Sequence, residues 1–555
     1  MDGTISHDGQ STGERTMTDA PVATTFDERA NVDAAVEEEH HQGFLHNIRK
    51  HPHAVGWSIL LSTAVIMEGF DIVLINSLLA VDEFQRTFGR QLPNGSYELS
   101  AAWQAGLTNG AIVGEILGLM LNGIIADRFG YKKTMVGALT ATTGLIFIPF
   151  FSTGPVQLLV GLILMGIPWG VFQTLTTTYA ADICPTGLRP YLTTYVNLCW
   201  VIGQFLASGV LVGTQDRNDH WAYRIPYALQ WMWPVPIIAG VLLAPESPWW
   251  LVRKDRIEDA AKVLKRLAKG DVSAETLDST LSMIRKTNDF EKSVNEGTSY
   301  WDCFKGVDLR RTEIVCVLWL IQTCAGATFL GYSTYFYESA GLDASNAFSL
   351  SLGQYAIGAI GTVLSWTLMG YFGRRSLHLS GLLALLVLYA VIGFAGLAPA
   401  SNEPSRWAIG SFLIVCTFVY DCTIGPVTYC LVAEIPSTRL RQKSVVLARN
   451  AYNIGSIICN ILVTRQLNPS AWAWGAKAGF FWAGVSLLCL VWAFFRLPEP
   501  KNRTYAELDA LFERGTSARK FSSVPTEELL GEYNRGSTDE IELSDKMASG
   551  HVECA

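Results

Sequence analysis

The chain has 555 residues, of which 49% are apolar and only 17% are charged. Soluble proteins carry about 25% charged residues, so this composition argues against a series of soluble domains. Much of the net charge of −8 comes from the two ends, and no basic stripe for nucleic acid is present. The eleven Cys are scattered, mostly through apolar runs, without the spacing of a disulfide framework or a metal site.

Apolar runs begin after an acidic, polar segment at 1–42, which is not a signal peptide. Runs of about 20 apolar residues are long enough to cross a bilayer as helices. Six runs precede a polar stretch at 250–311 and six follow it, so we predict twelve transmembrane helices. The runs lie near 54–80, 101–125, 134–153, 156–182, 191–213, 226–244, 312–336, 346–370, 377–397, 408–431, 445–467 and 476–497.

Lys and Arg are concentrated in the loops after runs 2, 4, 8 and 10 and in the middle stretch. Cytoplasmic loops carry such an excess, so these loops and both termini are predicted to be cytoplasmic. The sequon at Asn94 then falls in the first outer loop, which predicts glycosylation there.

The predicted fold is an all-α membrane protein with five segments. A disordered cytoplasmic tail at 1–50 precedes a six-helix bundle at 51–246. A cytoplasmic linker at 247–311 contains short amphipathic helices, for example around Ile257 to Leu267. A second six-helix bundle at 312–498 is followed by a cytoplasmic tail at 499–555.

Three loop patterns occur in both bundles, at nearly one spacing of roughly 250 residues. They predict two parallel six-helix pseudo-repeats, a transporter architecture with its binding site between the halves. Acidic and basic residues of these loops are candidates for a cytoplasmic gate latch; the alternative is that they only set topology. The candidates are Asp127, Arg128, Gly130, Lys132, Lys133, Asp182, Arg189, Glu246, Arg253, Gly373, Arg374, Arg375, Glu434, Arg441 and Glu499.

Several ionisable residues lie within the apolar runs, where a charged side chain is expensive and often functional. Glu68 and Asp71 are three residues apart, on one helical face of the first run. With Glu115, Asp421 and Arg449 they are candidates for proton coupling. The alternatives are placement at a helix end, which Arg449 would suit, or a satisfied interior pair.

The runs also contain side chains that donate and accept hydrogen bonds, together with aromatic rings, and these are candidates for binding a polar solute. The alternative role for each such residue is interhelical packing with a hydrogen bond. The candidates are Asn197, Gln204, Gln322, Thr323, Thr328, Tyr332, Tyr429, Tyr452 and Asn453.

The chain resembles the sugar porter branch of the major facilitator superfamily over roughly residues 50–510. The matching motifs are Asp127-Arg-Phe-Gly-Tyr-Lys-Lys133, Pro245-Glu-Ser-Pro-Trp-Trp-Leu-Val-Arg253, Gly373-Arg-Arg375 and Pro498-Glu-Pro-Lys-Asn-Arg-Thr504. Within that branch it looks most like fungal α-glucoside (maltose-type) permeases. The segments that carry this likeness are Gly166-Ile-Pro-Trp-Gly170, Leu192-Thr-Thr-Tyr-Val-Asn197, Gly331-Tyr-Ser-Thr-Tyr335 and Leu447-Ala-Arg-Asn-Ala-Tyr-Asn453.

The resemblance implies proton-coupled uptake of a glucoside at the plasma membrane, with Asp71 as a proton site. Hexose symporters pair this Asp with an Arg in helix 4, but Leu162 occupies that position, so the hexose switch does not carry over. The resemblance also implies that the amide, hydroxyl and aromatic candidates named above bind the sugar. At several of these positions this chain has a smaller side chain than the family pattern, which favours a disaccharide over a hexose.

The alternatives are an exporter or carrier of another sugar-like metabolite, and a non-transporting sugar sensor. No enzyme motif is apparent. We expect no cofactor other than the coupling proton and no metal. The expected partners are a sugar, protons and the lipid bilayer, but not nucleic acid, and the protein is expected to be monomeric.

Overall fold

A computed structural model provides the fold of the chain. Asn94, most of residues 1–50, and residues 525–555 lie outside the described part, so the predicted glycosylation site and most of both tails are not addressed by it. The structure describes residues 51–93, 95–184, 188–267, 299–399, 402–437, 440–501 and 505–524, with Arg49, Arg503 and a few separate positions between 277 and 288.

Within the described residues, 12 helices are long and apolar enough to cross a membrane, which confirms the predicted number. They are called spans 1 to 12 below. Their bounds are Pro52–Leu78, Ala101–Phe129, Tyr131–Phe150, Pro155–Ile183, Thr194–Thr214, Trp221–Leu243, Gly306–Gly331, Ala344–Tyr371, Arg374–Ala395, Glu403–Glu434, Lys443–Leu467 and Gly475–Arg496.

Shorter elements lie between the spans and after them. The two short strands pair antiparallel, with Arg90 opposite Glu98. The helices are Asp82–Phe88, Pro248–Arg253, Ile257–Leu267, Ser333–Ser339 and Tyr505–Glu513, the strands are Arg90–Gln91 and Tyr97–Glu98, and 3-10 turns occur at Tyr300–Phe304 and Ala518–Ser523.

Span 7 differs most from its predicted bounds, because it begins at Gly306 rather than near residue 312. Charged side chains in its first turns interrupt the apolar run but not the helix. Arg311, for example, is buried in an ion pair with Asp509. The span is broken further on by the π-helical segment Thr323–Ala327, where Gly326 has a φ of 144°. That φ suits glycine, because a side chain would be strained there.

Span 10 is also interrupted. Its two helices, Glu403–Cys422 and Ile424–Glu434, meet at Thr423, whose backbone is non-helical (φ −127°, ψ −79°). Interrupted helices are tolerated at membrane depth where protein surrounds the freed backbone groups. Spans 7 and 10 therefore give the C-terminal half two broken helices beside each other.

Glycines hold the helices of the N-terminal half at very short separations. A methyl group at Gly114 of span 2 would overlap the carbonyl oxygen of Ile163 in span 4. Spans 1 and 5 are locked in the same way, because a methyl at Gly69 would overlap the carbonyl oxygen of Trp200. Small residues let membrane helices approach closely and pack by van der Waals contact. These four helices therefore form one tightly packed unit.

The predicted linker contains the helix Ile257–Leu267 as expected. Its Ala260 and Leu267 are buried in the apolar core of the N-terminal half. Arg266 lies over the ring of Trp57 in span 1, 5.5 Å from its centroid. This part of the linker thus packs on the first half of the protein.

Candidate functional site

A central cavity lies between the two halves and is formed by spans 1, 2, 5, 7 and 11. Its volume is about 60 Å³. A cavity that binds benzene measures about 150 Å³, so this one holds water but must widen to hold a sugar. Its polar and aromatic lining comprises Glu68, Asp71, Asn76, Thr108, Glu115, Trp200, Gln204, Thr328, Arg449, Tyr452, Asn453, Ser456 and Asn460.

Two of the predicted proton-coupling carboxyls are bound by neutral amides. Gln230 in span 6 donates to Asp71 at 2.6 Å. Gln173 in span 4 donates to Glu68. The second oxygens, Glu68 Oε2 and Asp71 Oδ2, are buried without a hydrogen-bond partner in the described residues. An amide can donate to a carboxyl group whether or not the acid carries a proton.

Glu115 has a cationic partner instead, and that partner comes from the other half. The guanidinium of Arg449 in span 11 lies 3.3 Å from Glu115 Oε1, and both side chains are largely buried. Asn453 Nδ2 also approaches Glu115, at 3.5 Å. The structure thus brings together Glu68, Asp71, Glu115 and Arg449, four of the five predicted proton-coupling residues.

Asp421, the fifth, does not line this cavity. It is buried in span 10, two residues before the break at Thr423. A methyl group added at Gly358 of span 8 would lie only 2.5 Å from a carboxylate oxygen of Asp421. Asp421 therefore occupies a separate, closely packed site inside the C-terminal half.

Four of the nine predicted sugar residues line the cavity: Gln204, Thr328, Tyr452 and Asn453. The other five are not part of its lining. Gln322 donates to the carbonyl oxygen of Gly425 at the break in span 10, at 3.0 Å. Thr323 bonds the carbonyl oxygen of Leu320 in its own helix at 2.9 Å. Tyr429 packs against Trp319, and Asn197 and Tyr332 are buried elsewhere beside the cavity.

The residues that sequence reasoning missed are neutral or aromatic. Gln173 and Gln230, the partners of Glu68 and Asp71, stand in apolar runs, where an amide was a visible signal. Trp319 lies under Arg449 and was not singled out. Asn109 and Asn460 bond each other across the halves at 2.8 Å.

The halves are joined at the face predicted to be extracellular. Ser77 Oγ and Thr334 Oγ1 are 3.2 Å apart. Gln104 donates to the hydroxyl of Tyr335 at 3.3 Å. Asn468 donates to the carbonyl oxygen of Leu99 at 3.2 Å. These contacts close the cavity on that side.

At the predicted cytoplasmic face, Glu246 accepts backbone N–H groups of Tyr131 (3.0 Å) and Lys132 (3.3 Å), next to Gly130. Burial raises the pKa of Glu246, while hydrogen bonds from the backbone act in the opposite direction. Arg253 lies 4.0 Å from Asp182. The N-terminal loop motifs therefore bind one another within their own half.

The C-terminal loop motifs repeat this arrangement. Glu499 accepts the backbone N–H groups of Arg374 (2.9 Å) and Arg375 (3.0 Å), next to Gly373. The guanidinium of Arg374 lies 3.3 Å from Glu434. The gate latch stays a prediction, because these pairs lie within one half each.

The remaining loop candidates take other positions. Lys132 Nζ donates to the carbonyl oxygen of Leu242 at 2.5 Å. The carbonyl oxygen of Asp127 accepts the indole N–H of Trp250 at 3.1 Å. Arg128 lies over its neighbour Phe129, 5.5 Å from the ring centroid. Lys133 lies in the first turn of span 3, and Arg441 is the first residue of the helix that forms span 11. The side chain of Arg189 lies outside the described part.

The sequence profile of the family described as "Sugar (and other) transporter" matches residues 57–512. A general alpha-glucoside permease of Saccharomyces cerevisiae is 42% identical over 505 residues, which are 90% of this chain and 81% of the permease. The maltose permease MAL61 of S. cerevisiae is 42% identical over 496 residues, which are 88% of this chain and 80% of that protein.

Solved structures of the xylose transporter XylE from E. coli have the same fold. One in a partially occluded inward-open conformation has a TM-score of 0.67 at 17% identity and covers 82% of this chain and 100% of that chain. Another, described as a proton:xylose symporter bound to 6-bromo-6-deoxy-D-glucose, has a TM-score of 0.68 at 18% identity, with 83% and 99% covered. This likeness confirms the predicted major facilitator fold. The chain therefore belongs to the sugar (and other) transporter family, as a multi-pass membrane transporter of sugars and not an enzyme.

Proposed function

We propose that this protein takes up an α-glucoside such as maltose together with a proton, by alternating access of the central cavity. The named activities of its relatives, a general alpha-glucoside permease and a maltose permease, support the substrate class. The observation that carries proton coupling is the charge of the cavity lining.

Three carboxyl groups, those of Glu68, Asp71 and Glu115, share the cavity with one guanidinium, that of Arg449. If all were ionised, two negative charges would have no cationic partner in the lining. Uncompensated charge at membrane depth is expensive, so binding of protons is the natural way to neutralise it. The cavity is therefore suited to load a proton with the sugar.

The partners suggest how the carboxyls divide this work. Glu68 and Asp71 keep their amide hydrogen bonds in either protonation state, so both can hold a proton without losing a partner. Glu115 loses its attraction to Arg449 when it is protonated. Because Arg449 belongs to the opposite half, protonation at Glu115 weakens a link between the halves and favours their relative movement.

The sugar would be held by groups from both halves. Gln204 from the N-terminal half, and Thr328 and Asn453 from the C-terminal half, offer donors and acceptors. Tyr452 offers a ring for the apolar sugar face. Closing the halves around a sugar would therefore join them through the substrate.

The same proposal includes location and assembly. The permease relatives support a place in the plasma membrane, and the distribution of Lys and Arg supports two cytoplasmic termini. We propose a monomer that needs no cofactor beyond the coupling proton.

The test is uptake of labelled maltose and of labelled glucose in a cell that lacks its own sugar transporters, with external pH recorded. We expect uptake of maltose, with alkalinisation of the medium when the sugar is added. Asp71→Asn is the matched variant for the proton step, since it keeps the size of the side chain. Uptake of neither sugar would contradict the proposal. Maltose uptake without alkalinisation would indicate a facilitator that does not couple transport to protons. Efflux of sugar without uptake would favour the exporter.

A further inference from the structure

Arg449 contacts two aromatic rings in addition to Glu115. Its guanidinium carbon lies 4.8 Å from the ring centroid of Trp319 in span 7 and 4.2 Å from that of Tyr452. The two rings are inclined at 78°, with centroids 5.2 Å apart. Tyr429 of span 10 packs edge-on against Trp319 at 4.8 Å. Two ring faces thus form a corner around the cation, and a third ring supports it.

The placement of Trp319 fits a role for its ring face. A buried Trp usually finds a partner for its indole N–H. Trp319 is 4% exposed, and its N–H has no hydrogen-bond partner among the described residues. Its ring lies instead within the 6 Å at which a cation is attracted to an aromatic face.

The rings can stabilise the charge of Arg449 when protonation of Glu115 removes its ionised partner. When Glu115 takes up a proton, it no longer balances the charge of Arg449. Arg cannot lose its own proton in a protein, so a buried, unpaired cation would remain. The other titratable groups that interact electrostatically with Arg449 are Glu68, Tyr429 and Tyr452. An aromatic cage offers attraction to the cation that does not depend on pH.

We propose that Trp319 and Tyr452 form a cation cage that holds Arg449 in place while Glu115 is protonated, which makes Trp319 a positioning residue for proton coupling. This inference rests on the proposed function, because it assigns a role within the same proton-binding site. Trp319 itself does not line the cavity and would act on the proton site only through Arg449.

The experiment compares Trp319→Leu, which keeps an apolar side chain without a ring face, with the conservative Trp319→Phe. Phe329→Leu is the control, since Phe329 is also fully buried among aromatic rings in span 7, and no cation of the described residues lies over its ring. Sugar uptake is measured against external pH. In Trp319→Leu, half-maximal uptake should require an about ten-fold higher external proton concentration. Protonation of Glu115 would then leave Arg449 as a buried cation without the Trp319 ring to stabilise it. Trp319→Phe should retain most of the original profile, and Phe329→Leu should lower the amount of protein without moving the midpoint.

A second measurement separates the cage from the transport proposal. Thermal unfolding of the purified full chain is followed from neutral to acid pH, which requires no sugar transport. Trp319→Leu should lower the Tm more at acid pH than at neutral pH, and Phe329→Leu should lower it equally at both. An unchanged pH midpoint of uptake together with an equal Tm loss at both pH values would overturn the cage. Absence of proton coupling in the unmodified protein would overturn the proposed function, whatever the unfolding data show.

Discussion

The two halves of the protein are alike at the predicted cytoplasmic face and different inside the membrane. Glu246 and Glu499 bind equivalent backbone N–H groups in the two halves. In the cavity, the N-terminal half contributes the carboxyls and the C-terminal half contributes Arg449. The repeat has therefore kept its structural contacts, while the charges that face the cavity have been divided between the halves.

The largest expected effect comes from removing the single cation of the cavity. Arg449→Met leaves the carboxyl of Glu115 without its guanidinium, and breaking a buried ion pair costs about 3–5 kcal/mol. We expect loss of uptake and a marked fall in Tm. The double variant Arg449→Met/Glu115→Gln should recover much of the Tm but not the coupled uptake. If the double variant were as unstable as the single one, the two residues would not form the pair that divides the halves.

The next prediction compares buried acids in the two halves. Asp71→Asn should abolish alkalinisation on addition of sugar, because Asp71 lines the cavity and an amide cannot take up the proton. Asp421→Asn should keep at least half of the coupled uptake, since Asp421 lies outside the cavity. External pH and labelled sugar are recorded together for both variants. Full coupling in Asp71→Asn, or none in a well-folded Asp421→Asn, would reverse the assignment.

The cytoplasmic contacts should respond alike if the halves are equivalent there. Glu246→Gln and Glu499→Gln each replace a charged acceptor of three backbone N–H groups by a neutral one. Hydrogen bonds to charged groups contribute about 1.5–3 kcal/mol, so each variant should lose free energy of unfolding in that range. Chemical unfolding of the two purified variants measures this, with Glu258→Gln in the exposed linker as the control. A large effect in only one half would show that the repeat has diverged at this face too.

The last effect depends on pH and is expected at the predicted outer face, where the halves meet. Burial, together with nearby Asp82 and Asp343, raises the pKa of Glu338 to about 8. An acid whose pKa is raised by folding destabilises the folded state increasingly as pH rises from its normal value of about 4.3 towards 8. Glu338→Gln should therefore raise the Tm at pH 8 and leave it nearly unchanged at pH 4. An equal change at both pH values would exclude this titration.

Much of the fold and part of the site could be predicted from the sequence. The spans follow from apolar length, and the carboxyls of Glu68, Asp71 and Glu115 stand out because charge is rare at membrane depth. Their partners were harder to find. Glu115 and Arg449 are 334 residues apart, and no local pattern gives the rotation of one helix against another.

The neutral and aromatic partners could not be predicted from the sequence for a different reason. Gln173, Gln230 and Trp319 are compatible with ordinary packing in a membrane helix, so their residue types do not distinguish a partner of a charged group from a packing residue. Leu162, by contrast, was informative because it is apolar. It is fully buried in the structure, and Asp71 is bound by Gln230 instead of a helix 4 cation.

The glycine contacts of the N-terminal half have a consequence for how substrate preference can change. Spans 1 and 5, and spans 2 and 4, meet where even a methyl group would overlap the neighbouring backbone. New side chains that reshape the cavity are therefore poorly tolerated at these contacts. In the C-terminal half, span 7 lines the cavity just beyond the π-helical segment Thr323–Ala327, so its lining has more freedom to adjust. Variants selected for a different sugar are expected to carry their changes in spans 7 and 11, leaving the three cavity acids on an unaltered support.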